Sequence, residues 1–251
     1  MRRTSGRRLI LSCVLILVVV PLTIAFGMTF LRDRSYWFIS AAILVEATLP
    51  FFLAFARRRP KAREIVLICS LAAIAVIGRC AFFMLPQFKP VSAVVIVSAV
   101  GLGPESGFLV GALAGFVSNF FFGQGPWTPW QMFSFGVIGF LAGLLFFRGK
   151  IRKPSKTEVC VYGGLSTFLI YGGLMNFYSV LAFSTAVTKE SVAAVYLSGV
   201  PFDLIHAGST VLFLFLIEKP MAEKITRMRV KYGLIDESER LAEARSRFRS
   251  G

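Results

Sequence analysis

Charge is scarce in this chain. Only 16% of its 251 residues are Asp, Glu, Lys or Arg, against ~25% in an ordinary soluble domain. Histidine occurs once and cysteine four times. Cys13, Cys69, Cys80 and Cys160 lie in or beside apolar runs without Cys-x-x-Cys spacing, so they read as small buried residues and exclude a zinc or disulfide framework. With a single histidine and no cluster of His, Cys and carboxylates, no resident metal or other intrinsic cofactor is expected. Gly-x-x-x-x-Gly-Lys-Ser/Thr is missing; the nearest string, Gly143 to Lys150, has the wrong spacing and lies at a helix end. The chain is therefore not expected to hydrolyse ATP. Gly-x-Ser-x-Gly and His-Glu-x-x-His are absent too, no carboxylates pair for acid–base work, and no enzymatic activity is expected.

What fills the chain instead is apolar. Hydrophobic residues make up 56% and aromatics 14%, and the mean hydropathy is +0.71. Runs near or above the ~18 residues that suit a bilayer crossing recur along it. A soluble enzyme, a disordered tail and a secreted disulfide domain are excluded, and an all-α polytopic membrane protein is expected. The crossings read as 9–31, 36–56, 65–85, 91–101, 104–122, 130–147, 159–183 and 192–217, about eight in all. The fourth and fifth require a break. A single helix over 91–122 would be about 48 Å long, too long for a ~30 Å hydrocarbon core, and Gly101-Leu102-Gly103-Pro104 interrupts it. A re-entrant 91–101 is the alternative. The first run, 9–31, exceeds the ~7–15 apolar residues of a signal peptide and reads as an uncleaved helix.

The net charge of +15 has a positional explanation. Arg2, Arg3, Arg7 and Arg8 precede the first run, and Arg57, Arg58, Arg59, Lys61 and Arg63 follow the second. Arg148, Lys150, Arg152, Lys153 and Lys156 form a third cluster, and Lys219, Lys224, Arg227, Arg229 and Lys231 a fourth. The break at Gly101–Pro104 puts all four on one side, leaving only Arg32, Arg34, Lys89 and Lys189 opposite. By the positive-inside rule both termini are cytoplasmic. No basic stripe alternates with aromatics, so a nucleic-acid partner is not expected. Three regions follow: an N-terminal helix pair (1–64), a six-helix core (65–218) and a basic, then mixed-charge cytoplasmic tail (219–251). The tail reads as a solvated helical end, or as a segment lying on anionic lipid headgroups.

Polar side chains inside crossings are expensive and mark function by default. Arg79, Asn119, Gln131, Asn176, Asp203 and His206 all fall in the middle to outer part of their segments. Five helices thus send polar groups toward the extracellular half, as a pocket filled from outside requires. Asp203 and His206, at i and i+3, could also bond each other, a structural role preferred for His206. Arg79 needs a partner for its permanent charge, with Asp203, a ligand anion or Glu46 as candidates. Gln124, Trp127 and Trp130 sit in the loop Gly123-Gln124-Gly125-Pro126-Trp127-Thr128-Pro129-Trp130, whose tryptophans suit stacking on a ring system or an interfacial belt. Gln87 and Lys89 form a second candidate lid with Pro86 and Phe88. Gly107, Gly111 and Gly115, with Gly136, Gly139 and Gly143, read as close helix packing.

The stretch Lys89-Pro90-Val91-Ser92 and the run from Gly101 to Phe147, above all GPESGFLVGAL and GQGPWTPWQM, resemble the substrate-binding S component of energy-coupling factor (ECF) transporters. The likeness spans 65–217, the family's six-helix core. It implies a bacterial or archaeal membrane protein that captures a vitamin-like micronutrient from outside. Its implied partners are a transmembrane coupling subunit, two cytosolic ATPases and the surrounding lipid. Among S components the sequence is somewhat more similar to the cobalamin type. The family's Ala-x-x-x-Ala docking motif has its nearest equivalent in Cys69-x-x-x-Ala73, so Cys69, Ala72 and Ala73 are the expected docking residues; the two N-terminal helices are additional to the six. A membrane scaffold whose glycine faces only pack, and an integral-membrane lipid enzyme, are the competing readings.

Overall fold

A computed structural model describes residues 55–56, 60–148, 154–184 and 187–234. Among the described residues there are helices and no strands. In hydrocarbon a helix satisfies its own backbone donors and acceptors, so apolar sequence becomes helix even where intrinsic propensity is poor. The β-branched run of α2 (Val91–Leu102) shows this: Val91 to Ala99 are all buried, and α1 (Ala62–Ala81), α3 (Pro104–Phe122), α4 (Trp127–Ala142) and α7 (Lys189–Lys231) surround it. α3 spans Pro104–Phe122, and α4, Trp127–Ala142, continues as a π-helical turn over Gly143–Phe147. α5 (Lys156–Ser166), a π-helical segment (Thr167–Gly172) and α6 (Gly173–Phe183) form one rod. Ser155 and Glu158 start that rod with a reciprocal capping box. α7 is one helix of 43 residues, Lys189–Lys231.

The expected reversal near Gly101–Pro104 is present. Gly103 takes φ +97, a left-handed conformation that glycine reaches without a Cβ penalty, and Pro104 starts α3, where its missing N–H costs nothing. Among the described residues, five helical rods are long and apolar enough to cross a membrane. α2, at 12 residues, is only ~18 Å long and is held inside the bundle instead of facing lipid. The expected crossings 9–31 and 36–56, Glu46 among them, lie outside the described residues, apart from Phe55 and Ala56 at the end of the second.

α3 and α4 form the closest seam. A Cβ on Gly111 would stand 2.5 Å from the carbonyl carbon and oxygen of Phe135 and 2.8 Å from the nitrogen of Gly136. Small residues there let the backbones touch. At one end of this seam Arg148 Nη2 donates to both carboxylate oxygens of Glu105 at 2.7 and 2.8 Å, a charge-assisted contact tying the start of α3 to the residue that follows the π-helical turn.

The last helix departs most from expectation. It continues past 217 to Lys231, giving a rod of ~65 Å. The basic composition of 219–231 conceals an apolar stripe: Met221, Ala222, Ile225 and Met228 recur at helical spacing and pack on the core. Ile225 is 2% exposed and lies against Gly101. This stretch is therefore neither a frayed solvated end nor a helix resting on headgroups alone. Ile225→Ala is expected to destabilise the bundle by ~2–5 kcal/mol, read as a lowered unfolding temperature in detergent.

Candidate functional site

The loop between α1 and α2 folds back over one end of the bundle. Gln87 adopts φ 55, unusual for a residue with a Cβ, and the Phe88 N–H donates to the Pro86 carbonyl at 2.7 Å. The Lys89 ammonium reaches back to the Phe82 carbonyl, and to those of Phe83 (3.2 Å) and Leu85 (2.6 Å), satisfying acceptors left over at the end of α1. Phe82, Phe88 and Phe213 stack ring to ring at 5.1–5.7 Å and fix the loop to α7.

Under this loop lies a cavity of about 230 Å³. Arg79, Gln87, Lys89, Gln131, Tyr171 and His206 supply its polar groups; Phe83, Pro86, Val91, Phe122 and Phe135 supply its apolar walls. A hydrogen-bond chain runs behind it from α1 to the π-helical segment. Arg79 Nη1 donates to Ser118 Oγ and, at 2.9 Å, to Asn119 Oδ1. Asn119 Nδ2 donates to Thr128 Oγ1 (2.9 Å) and Gln131 Oε1 (3.0 Å), and Gln131 Nε2 donates to the Tyr171 hydroxyl (3.3 Å). The Arg79 guanidinium also lies 4.4 Å from the centre of the Phe122 ring, a cation–π arrangement. Burial first, and then the charge of Arg79, push the Lys89 ammonium below its usual value.

His206 forms the far wall. It is 3% exposed, stands edge-on to Tyr171 with ring centres 4.5 Å apart, and has Nε2 3.3 Å from Ser92 Oγ. Its Nδ1 is buried with no hydrogen-bond partner among the described residues. Buried polar atoms are seldom left so.

Of the residues expected from sequence, Arg79, Gln87, Lys89, Gln131 and His206 converge on this cavity. Asn119 stands one bond behind, joining Arg79 to Gln131. The others lie elsewhere. Gln124 accepts from Thr128 and donates to the Phe116 carbonyl, bracing its own loop. Trp127 closes over Gly125, and Trp130, 4% exposed, packs between Phe177 and Tyr178. Asn176 Nδ2 donates to Asp203 Oδ2 at 2.7 Å, linking α6 to α7 outside the cavity lining. Asp203 thus binds neither Arg79 nor His206, because its carboxylate is turned toward α6; Glu46 lies outside the described residues. On α1, Cys69 and Ala73 are exposed and Ala72 is buried. Tyr171, Phe135, Phe122 and Ser118 escape the sequence reading. A tyrosine in an apolar span signals a hydroxyl in need of a partner, and Tyr171 was legible on that ground.

Apolar helices packed around a partly open cavity of mixed polar and apolar lining define a multi-pass membrane protein with room for a small solute. The sequence model of the ECF-type riboflavin transporter S component matches residues 59–223, and the chain belongs to that family. The family is a transporter component and not an enzyme. Similar proteins include a UPF0397 protein of Vibrio atlanticus, 29% identical over 65% of this chain and 92% of the relative. A UPF0397 protein of Aliivibrio salmonicida is 31% identical over 60% of this chain and 84% of its own. One of Aliivibrio fischeri is 32% identical over 52% and 71%. No solved structure matches the chain significantly. The expected leaning toward the cobalamin type finds no support in these relationships.

Proposed function

We propose that the chain is the solute-capturing component of an ECF-type importer, taking a one- or two-ring, vitamin-class compound into the cavity beneath the 82–90 loop. A membrane coupling subunit and two cytosolic ATPases supply the energy, consistent with the missing nucleotide motif. The observation that carries the reading is the convergence of Arg79, Lys89, Gln131 and His206 from four separate segments on one cavity walled by Phe83, Phe122 and Phe135, a few polar groups in an apolar surround. The basic residues Arg148, Lys156 and those from Lys219 to Lys231 sit toward the opposite end, so the positive-inside rule turns the cavity outward. A volume of about 230 Å³ suits a compact heterocycle and is far too small to enclose a corrin macrocycle.

Mass spectrometry of solvent extracts from the purified chain tests this. One vitamin-class compound per chain is expected, together with coupling and ATPase subunits when these are co-expressed. A stable large complex with no small molecule and no ATPases contradicts the proposal and favours a scaffold. Tyr171→Phe is expected to weaken solute binding ~3–10-fold, the effect of one hydrogen bond, by calorimetry.

A further inference from the structure

We infer that the captured solute carries an anionic group, a carboxylate or phosphate, that binds against Arg79. This rests on the cavity being the capture site, and it concerns what that site selects. Arg79 and Lys89 both line the cavity, and among the described residues no Asp or Glu does. Both cations stand over the same ring, their charged groups 4.4 and 5.6 Å from the centre of Phe122, so they repel each other, and no described residue puts a counter-charge between them. The protein bonds of Arg79 leave from Nη1 alone, to the neutral Ser118 and Asn119. A guanidinium has five N–H donors, and those on Nη2 and Nε have no acceptor among the described residues. Asp203, on the helix that carries His206, is already bound to Asn176. Lys89 is anchored on three carbonyls, so it cannot swing away to relieve the repulsion without uncapping α1. A half-buried guanidinium without an ionic partner among the described residues is costly, and an acidic ligand supplies that partner with charge-assisted, bidentate geometry. The phenylalanine walls accept the body of the molecule.

Benzoate and its neutral analogue benzamide separate charge from shape. Each is titrated by calorimetry and thermal shift into the purified full-length chain in detergent, at constant ionic strength in chloride. Benzoate is expected to bind at least ~10-fold more tightly. Arg79→Gln should abolish that preference, whereas Arg79→Lys should keep part of it. Lys89→Gln, on a loop outside the helices, should reduce it even if the Arg79 variants fail to fold. Equal binding, tighter binding of benzamide, or binding of neither overturns the inference, as does a carboxylate elsewhere in the chain, such as Glu46, whose replacement by Gln creates the preference. The importer reading fails on different grounds: a neutral vitamin extracted from the wild-type chain refutes the anionic group and leaves that reading standing.

Discussion

Gly111→Ala is expected to destabilise the bundle strongly and to lower the yield of folded protein. The added methyl would meet the Phe135 carbonyl carbon and oxygen at 2.5 Å and the Gly136 nitrogen at 2.8 Å. Those are backbone atoms of α4, so no rotamer change relieves the overlap. The helices would have to separate along the seam that also holds Gly107, Gly139 and Gly143, loosening contacts along much of α3. Overpacking of this kind costs ~3 kcal/mol or more, a large part of the ~5–15 kcal/mol that holds a typical domain together. Gly208 is the control. No described residue lies within 4 Å of a Cβ placed there, and Gly208→Ala should be neutral or stabilise by up to ~1 kcal/mol through helix propensity. Fluorescence-detected size exclusion of the two variants reads the difference directly.

Arg79→Ala should lower affinity for the solute recovered from the wild-type chain ~100-fold or more, with a smaller effect on stability. Two losses combine in binding. The cavity loses its principal cation, and Asn119 loses the donor that fixes its amide toward Gln131. In the folded protein these losses partly offset: the Asn119 carbonyl is left without that donor, at ~1–3 kcal/mol, but a half-buried charge disappears. Arg79→Lys should recover a minor part, since an ammonium cannot reproduce the planar fork. Calorimetry with the recovered solute, beside thermal unfolding of each variant, separates the two effects. Equal falls in affinity and stability would make Arg79 only a structural residue.

The helical bundle was legible because apolar run length and the glycine–proline break both follow from the bilayer. The limit of α7 was not. Hydropathy averaged over 219–231 registers its lysines and arginines, whereas packing depends on the stripe of Met221, Ala222, Ile225 and Met228. Counting residues along each segment places Arg79, Asn119, Gln131 and His206 at similar depth, but depth carries no information about direction around a helix. Asn176 and Asp203 share that depth and face each other instead of the cavity. The tryptophans of the 123–130 loop looked like a stacking platform from composition alone; local folding sends Trp127 over Gly125 and Trp130 into the α4–α6 contact. Tyr171 reaches Gln131 from a π-helical segment. Such a turn shifts side-chain register relative to an α-helix and is common at functional sites, yet no sequence periodicity announces it.

The central claim is that the cavity bounded by Arg79, Gln131, Tyr171 and His206 holds the transported solute. Native mass spectrometry of the wild-type chain and of Gln131→Leu, purified side by side and matched in unfolding temperature, addresses it most directly. One small molecule per wild-type chain and an empty variant are predicted; equal occupancy of both, or a wild-type chain that carries nothing, would contradict the account.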